Sequence, residues 1–191
     1  MKISQSLALR TADFLIQHPP FAYLARPALE TLAAQVKVRY YGENDFIFRE
    51  GEPAGAGFYV LQKGRVEILR RQGDEERLID ICDVGDPFGV RALISQNPYV
   101  ASARVAADTL VYLIPREVFA PILEANPRVA LFFASGFAAG QTVVRGENSA
   151  SALARRELLL PQNRPAGLFR EEDVIVMKPQ EEVIFCTLRN T

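Results

Sequence analysis

Between Val38 and Leu113, glycines and charged turns cut the chain into short β-forming runs: VRYY-G, DFIFREGE, GFYVLQKG, RVEILRRQGDEE and RLIDICDVGD. Regular alternation of short strands with turns is the pattern of a β-sandwich or barrel, not of a βαβ sheet. Phe58–Leu61 and Val66–Leu69 read as two short strands on either side of Lys63-Gly64-Arg65. That spacing predicts a tight hairpin there, with Gly64 supplying the positive φ. The charged run Arg70–Arg77 reads as an exposed hairpin tip with Gly73 at the turn, and a last strand, Thr109–Ile114, ends at Pro115.

Helical patterns flank this region. Residues 5–18 form a first helical segment, with Leu7, Phe14 and Leu15 available to pack and Pro19-Pro20 forcing a stop. Pro27–Val36 follows, with Ala28, Leu29, Leu32, Ala33 and Val36 at helical spacing. After the strands, Pro115 opens Arg116–Ala125, whose stripe is Val118, Phe119, Ile122 and Leu123. Asn126-Pro127 then starts a longer helix to Arg145, carrying Val129, Leu131, Phe132, Phe133, Phe137 and Val144. That helix is apolar on more than one face and is expected to meet a second copy or a following domain.

The chain has 191 residues, enough for one domain with an appendage. Its net charge of −1 provides no basic field to draw nucleic acid or an anionic membrane. The N-terminus MKISQSLALR lacks a long apolar core, so neither a signal peptide nor a membrane helix is expected, and the cytoplasm is the default location. Cys82 and Cys186 stand far apart in apolar, strand-like surroundings and read as small buried hydrophobes, not as a disulfide or zinc site. The single histidine, His18, cannot build a metal cluster and is read as a helix-terminal or surface group. No Ser/His/Asp arrangement or Walker-type loop points to an enzyme, although a further domain beyond this chain could be catalytic.

The order helix, glycine-punctuated barrel, closing helices resembles the cyclic nucleotide-binding domain family, to which the catabolite activator protein, protein kinase A regulatory subunits and cyclic nucleotide-gated channels belong. The resemblance covers about residues 15–145 and rests on Gly42, Gly51 in REGE, Tyr59, Gly64, Gly85-Asp86 and Phe88-Gly89 leading into Ala92-Leu93. It implies an α+β fold, a β-barrel or jelly roll (double-stranded β-helix) with flanking N-terminal and C-terminal helices. The parts are a helical segment over 1–37, a barrel over 38–114, closing helices over 115–145, and a linker over 146–191. A second resemblance, of VIVMKPQEEVIFCTLRNT to the start of a CBS domain, implies bacterial proteins in which CBS and nucleotidyltransferase-like domains follow. The tail runs Val174–Met177 and Val183–Cys186 read as strands, and the native polypeptide is expected to continue.

Asp86–Ala103, DPFGVRALISQNPYVASA, is similar to the family's phosphate-binding cassette, roughly F-G-E-x-A-L and then P-R-x-A-[ST]. In the family, the helix after F-G offers N–H groups, the arginine pairs with the phosphate and the glutamate takes the ribose hydroxyl. Here Phe88 and Gly89 keep the turn, and Ala92 and Leu93 keep the helix face. Pro98, Ala101 and Ser102 keep the second half, with Val100 between. Val90 stands at the glutamate position and Tyr99 at the arginine position. Neither Arg91, directly after Val90, nor Arg104, an odd number of strand positions after Tyr99, replaces the lost cation. Loss of that contact costs about 2–5 kcal/mol, enough to turn a micromolar ligand millimolar. Valine and tyrosine make the pocket more apolar, admitting an uncharged or aromatic ligand, or leave it plugged by Tyr99.

The expectation is therefore a non-catalytic regulatory domain with a degenerate cassette that biases an attached C-terminal domain. A small molecule is its expected ligand; cAMP or cGMP is implied by the family but opposed by the two replacements, and no cofactor or metal is assigned. Homodimerisation through the 127–145 helix is expected. The alternatives are a catabolite-activator-type transcription regulator and a purely structural dimerisation module. Against the former, the residues after Arg145 lack a pair of helices with a basic recognition face.

Overall fold

The computed structural model describes residues 2–138, 140, 141 and 143. The elements are α1 (Lys2–Leu15), a 3-10 turn (Phe21–Tyr23), α2 (Arg26–Ala33), β1 (Lys37–Tyr41), β2 (Phe46–Phe48), β3 (Gly57–Gln72), β4 (Glu75–Cys82), β5 (Pro87–Phe88), α3 (Val90–Ser95), β6 (Ser102–Pro115), α4 (Arg116–Ala125) and α5 (Pro127–Ala138). The linker expected over 146–167, the tail strands, the CBS-like segment and Cys186 lie outside the described residues. No helix among the described residues is long and apolar enough to cross a membrane.

All strands join one antiparallel sheet along the path β1-β6-β3-β4, with β2 on β6 and β5 on β3. The long strands β3 and β6 form its spine, and period-two alternation sends their side chains to opposite sides. Phe58, Val60, Tyr112 and Ile114 enter a cluster closed by α1, α2, α4 and α5. Leu61, Val66, Ile68, Val105 and Val111 face the barrel interior with Phe48, Phe88, Ala92 and Tyr99.

The hairpin expected at Gly64 does not form. Instead β3 runs through Gly64 without turning back, pairing with β6 from Gly57↔Pro115 to Leu69↔Ser102, and the register shifts between Leu61 and Val66. The shift explains how Leu61 and Val66, an odd number of positions apart, both face the barrel interior. Gly64 has φ 101°, and a Cβ there would overlap Thr109 Oγ1 and the Asp108 carbonyl. The glycine therefore permits a bulge. The second hairpin is as expected: Gln72 pairs with Glu75 across Gly73-Asp74, with Gly73 at φ 66°.

The helices depart from expectation in detail. In α1, Leu7 is half-exposed while Ala12 and Leu15 are buried. Arg116–Ala125 is helical as expected. The helix expected to reach Arg145 ends at Ala138 among the described residues, because Gly140 adopts φ 72°. Gly140 N–H donates to the Phe137 carbonyl and Gln141 N–H to the Gly136 carbonyl, which is the Schellman pattern. Val129 and Phe133 are buried and Phe132 and Phe137 half-buried against the helix-side cluster, leaving Leu131 as the exposed large hydrophobe of α5.

Candidate functional site

The cassette-like segment is shaped by its turns. Phe88 pairs with Tyr59 and Pro87 with Val60, tying β5 to β3. Gly89, at φ 77°, then turns the chain into α3, which ends at Gln96 with φ 56°. A Cβ at Gly89 would lie 3.2 Å from Phe48 Cε1, so the turn is packed against an aromatic ring. Pro98 and Val100 flank Tyr99 before β6 begins.

The structure divides the sequence-predicted site residues among three environments. Phe88, Ala92, Tyr99 and Ala101 belong to the barrel-interior cluster, with Gly89 against it. Val90 and Leu93 are buried in the helix-side cluster, so Val90 does not share the cluster that holds Tyr99. This corrects the expectation that both replacements remodel one pocket: on this six-residue helix, Val90 and Ala92 point to different sides of the sheet. Arg91, Pro98 and Val100 are exposed. Ser102 is buried, and its Oγ accepts a hydrogen bond of 2.9 Å from the Glu50 N–H.

Tyr99 is 6% exposed and lies flat on Phe48, with ring centroids 3.9 Å apart and planes 9° apart. Its main-chain N–H donates to the Glu52 carbonyl at 2.9 Å, and its carbonyl accepts from Gly51 N–H at 2.8 Å. Its phenol oxygen accepts from Gly55 N–H at 3.1 Å. The 50–55 stretch between β2 and β3 is thus tied to residue 99 by backbone and side chain together.

Tyr59 and Phe88 continue the aromatic filling, 5.5 Å apart and stacked, and Tyr59 hydrogen-bonds through its hydroxyl to Tyr41. Burial pushes the phenols of Tyr59 and Tyr99 above the ordinary tyrosine range, so both are neutral at physiological pH. The result is an aromatic interior with hydroxyl groups and no formal charge from either phenol.

Three arginines around the segment have partners of their own, while Arg39 is close enough to act electrostatically on Tyr59. Arg104 pairs with Glu67 at 2.8 Å. The Arg49 guanidinium lies 3.6 Å from the Phe46 ring centroid, and Arg70 Nε donates to the Val100 carbonyl at 3.3 Å. Among the described residues no cluster of histidine, cysteine or carboxylate side chains could hold a metal.

Phe48 and Gly55, the two principal partners of Tyr99's side chain, were not singled out by sequence. Their apolar and glycine contexts mark a buried strand and a turn, but no local signal joins them to a residue so distant along the chain. A groove of about 150 Å³ between α3 and α4, lined by Leu93, Ile94, Phe119 and Leu123, with Arg116 and Glu124 among its residues, was also not anticipated.

Known proteins with matching sequence or fold fit this geometry. Residues 38–126 match the family model described as the cyclic nucleotide-binding domain. Human cGMP-dependent protein kinase 2 is 39% identical over 89 residues, spanning 44% of this chain and 11% of the kinase. The chain therefore spans about a tenth of that relative's length. Among solved structures, the regulatory domain of Toxoplasma gondii PKA with cAMP superposes with a TM-score of 0.63 at 19% identity, over 69% of this chain and 50% of that one. A mutant regulatory subunit of a cAMP-independent protein kinase A from Trypanosoma brucei, bound to cAMP in the A site, gives a TM-score of 0.60 at 18% identity, over 80% of this chain and 53% of that one. Residues 38–126 are thus the part of this chain that carries the sequence pattern of the cyclic nucleotide-binding domain.

Proposed function

We propose that this domain is a non-catalytic regulatory module whose cassette no longer takes a cyclic nucleotide and whose state biases an attached domain. The observation that carries the reading is Tyr99: at the position the family resemblance gives to arginine stands a buried, neutral phenol stacked on Phe48. A cyclic phosphate brought there would lose its water without gaining a cation, and an uncompensated buried charge is costly. The trypanosome neighbour supports the reading, because a subunit of this fold described as cAMP-independent was solved with cAMP as a mutant with three substitutions, one of them threonine to arginine.

Calorimetric titration of the full chain with cAMP and cGMP tests the proposal. No specific binding is expected up to about 1 mM, and an affinity tighter than about 10 μM would overturn it. Tyr99→Arg, which returns a cation to the side of the sheet that holds Phe48 and Phe88, is expected to create measurable affinity. We further propose that a second copy docks on α5, where Leu131 is 69% exposed. A purely monomeric sedimentation profile at about 50 μM would remove that part of the reading.

A further inference from the structure

We infer that Tyr99 is an internal ligand that latches the 50–55 stretch over the cassette, and that a neutral phenolic compound can take its place. The inference rests on the reading that the cassette does not take a cyclic nucleotide, and deepens it by naming what the aromatic interior does recognise. Three features define the recognition. The Phe48 face, 3.9 Å from the Tyr99 centroid, receives a flat ring. The Gly55 N–H, 3.1 Å from the phenol oxygen, donates to a hydroxyl at the ring's far end. Gly89 borders the ring edge: a Cβ there would lie in ordinary contact with Tyr99 Cε1, at 3.5 Å, and press on Phe48 Cε1, at 3.2 Å.

The same side chain closes the loop. Gly51 N–H and the Glu52 carbonyl bracket the backbone of Tyr99, and Glu50 N–H reaches Ser102 Oγ, so the phenol–Gly55 contact completes a continuous seam. A compound with a ring and a neutral hydroxyl satisfies Phe48 and Gly55 as Tyr99 does. It must compete with a side chain held at the site by its own backbone, so its apparent affinity is reduced by the fraction of molecules in which Tyr99 has left.

The experiment titrates p-cresol into the full-length chain and its Tyr99→Ala variant, with amide exchange at Gly55 followed in parallel. Tyr99→Ala is expected to bind p-cresol at least about tenfold more tightly than the parent. Its Gly55 amide should exchange faster, with slow exchange restored by p-cresol but not by toluene, which lacks the hydroxyl. Equal affinities, or no binding to the variant, would overturn the internal-ligand assignment. Tyr99→Phe keeps the ring and removes only the oxygen, so it carries the test if Tyr99→Ala does not fold. Accelerated Gly55 exchange in Tyr99→Phe is expected, and unchanged exchange would overturn the latch. Titration of the parent chain with cAMP and cGMP separately reads the underlying functional assignment.

Discussion

His18 stands directly over Gly85, its imidazole occupying the space that a Cβ at that glycine would need. The ring also lies 4.7 Å from the Phe14 centroid, so it joins the end of α1 to the turn between β4 and β5. A residue read from sequence as a helix-terminal or surface group is thus a packing element, made possible by a glycine at φ 91°.

A pH dependence follows from that packing. Burial holds the His18 imidazole below its ordinary value of 6.5, so the unfolded chain takes up the proton at higher pH than the native one. Stability from this group is fully present above the unfolded value and declines as pH falls through the lower native value. Between about pH 7.5 and 5.5 the melting temperature of the parent should fall more steeply than that of His18→Gln, so that its advantage shrinks. Parallel curves would count against the argument.

At Gly64, both the positive φ and the approach to Thr109 oppose any side chain. Thr109 is fully buried, and its Oγ1 accepts from Arg65 N–H at 3.2 Å and donates to the Ala107 carbonyl at 2.6 Å, so it has little freedom to withdraw. Gly64→Ala is expected to cost about 3 kcal/mol in urea unfolding, whereas Gly73→Ala, with open space around its Cβ, should cost about 1 kcal/mol.

Val90 and Tyr99 should respond differently to charge. Val90 is 3% exposed among apolar side chains, so Val90→Glu alone is expected to destabilise by about 3 kcal/mol and to hold its carboxyl above the ordinary range. A thermal midpoint unchanged from the parent would show that position 90 reaches solvent after all.

Phe58 is fully buried and its ring lies 4.6 Å from Phe119 and 6.3 Å from Phe133, linking β3 to both closing helices. Phe58→Ala is expected to cost about 3–5 kcal/mol, as for other large-to-small changes in a packed core. Chemical denaturation measures this, and a cost below about 1 kcal/mol would mean that α4 and α5 contribute little to the core.

Much of the architecture was legible because it is written in short-range chemistry. Pro115 opening α4, Gly73 in the β3–β4 turn and the Gly89 bend into α3 each depend on backbone preferences of a few neighbouring residues. The end of α5 was legible in principle at Gly140, but the apolar residues beyond it carried the helical pattern past the stop. The valine at 90 and the tyrosine at 99 could also be read directly, although their comparison with glutamate and arginine came from the family resemblance.

What sequence alone determined, then, is the order of strands and helices and the apolar and phenolic side chains at positions 90 and 99. The tertiary structure decided what those features are for. A glycine between two strand-like runs can make a hairpin or a bulge with the same positive φ; pairing with β6, far along the chain, selected the bulge at Gly64. A tyrosine at position 99 can sit at a rim or fill an interior. The ring of Phe48 and the N–H of Gly55, each remote from Tyr99 in the chain, are the contacts that turned it inward. Both outcomes depend on partners brought together only when the sheet closes, which local propensity does not encode.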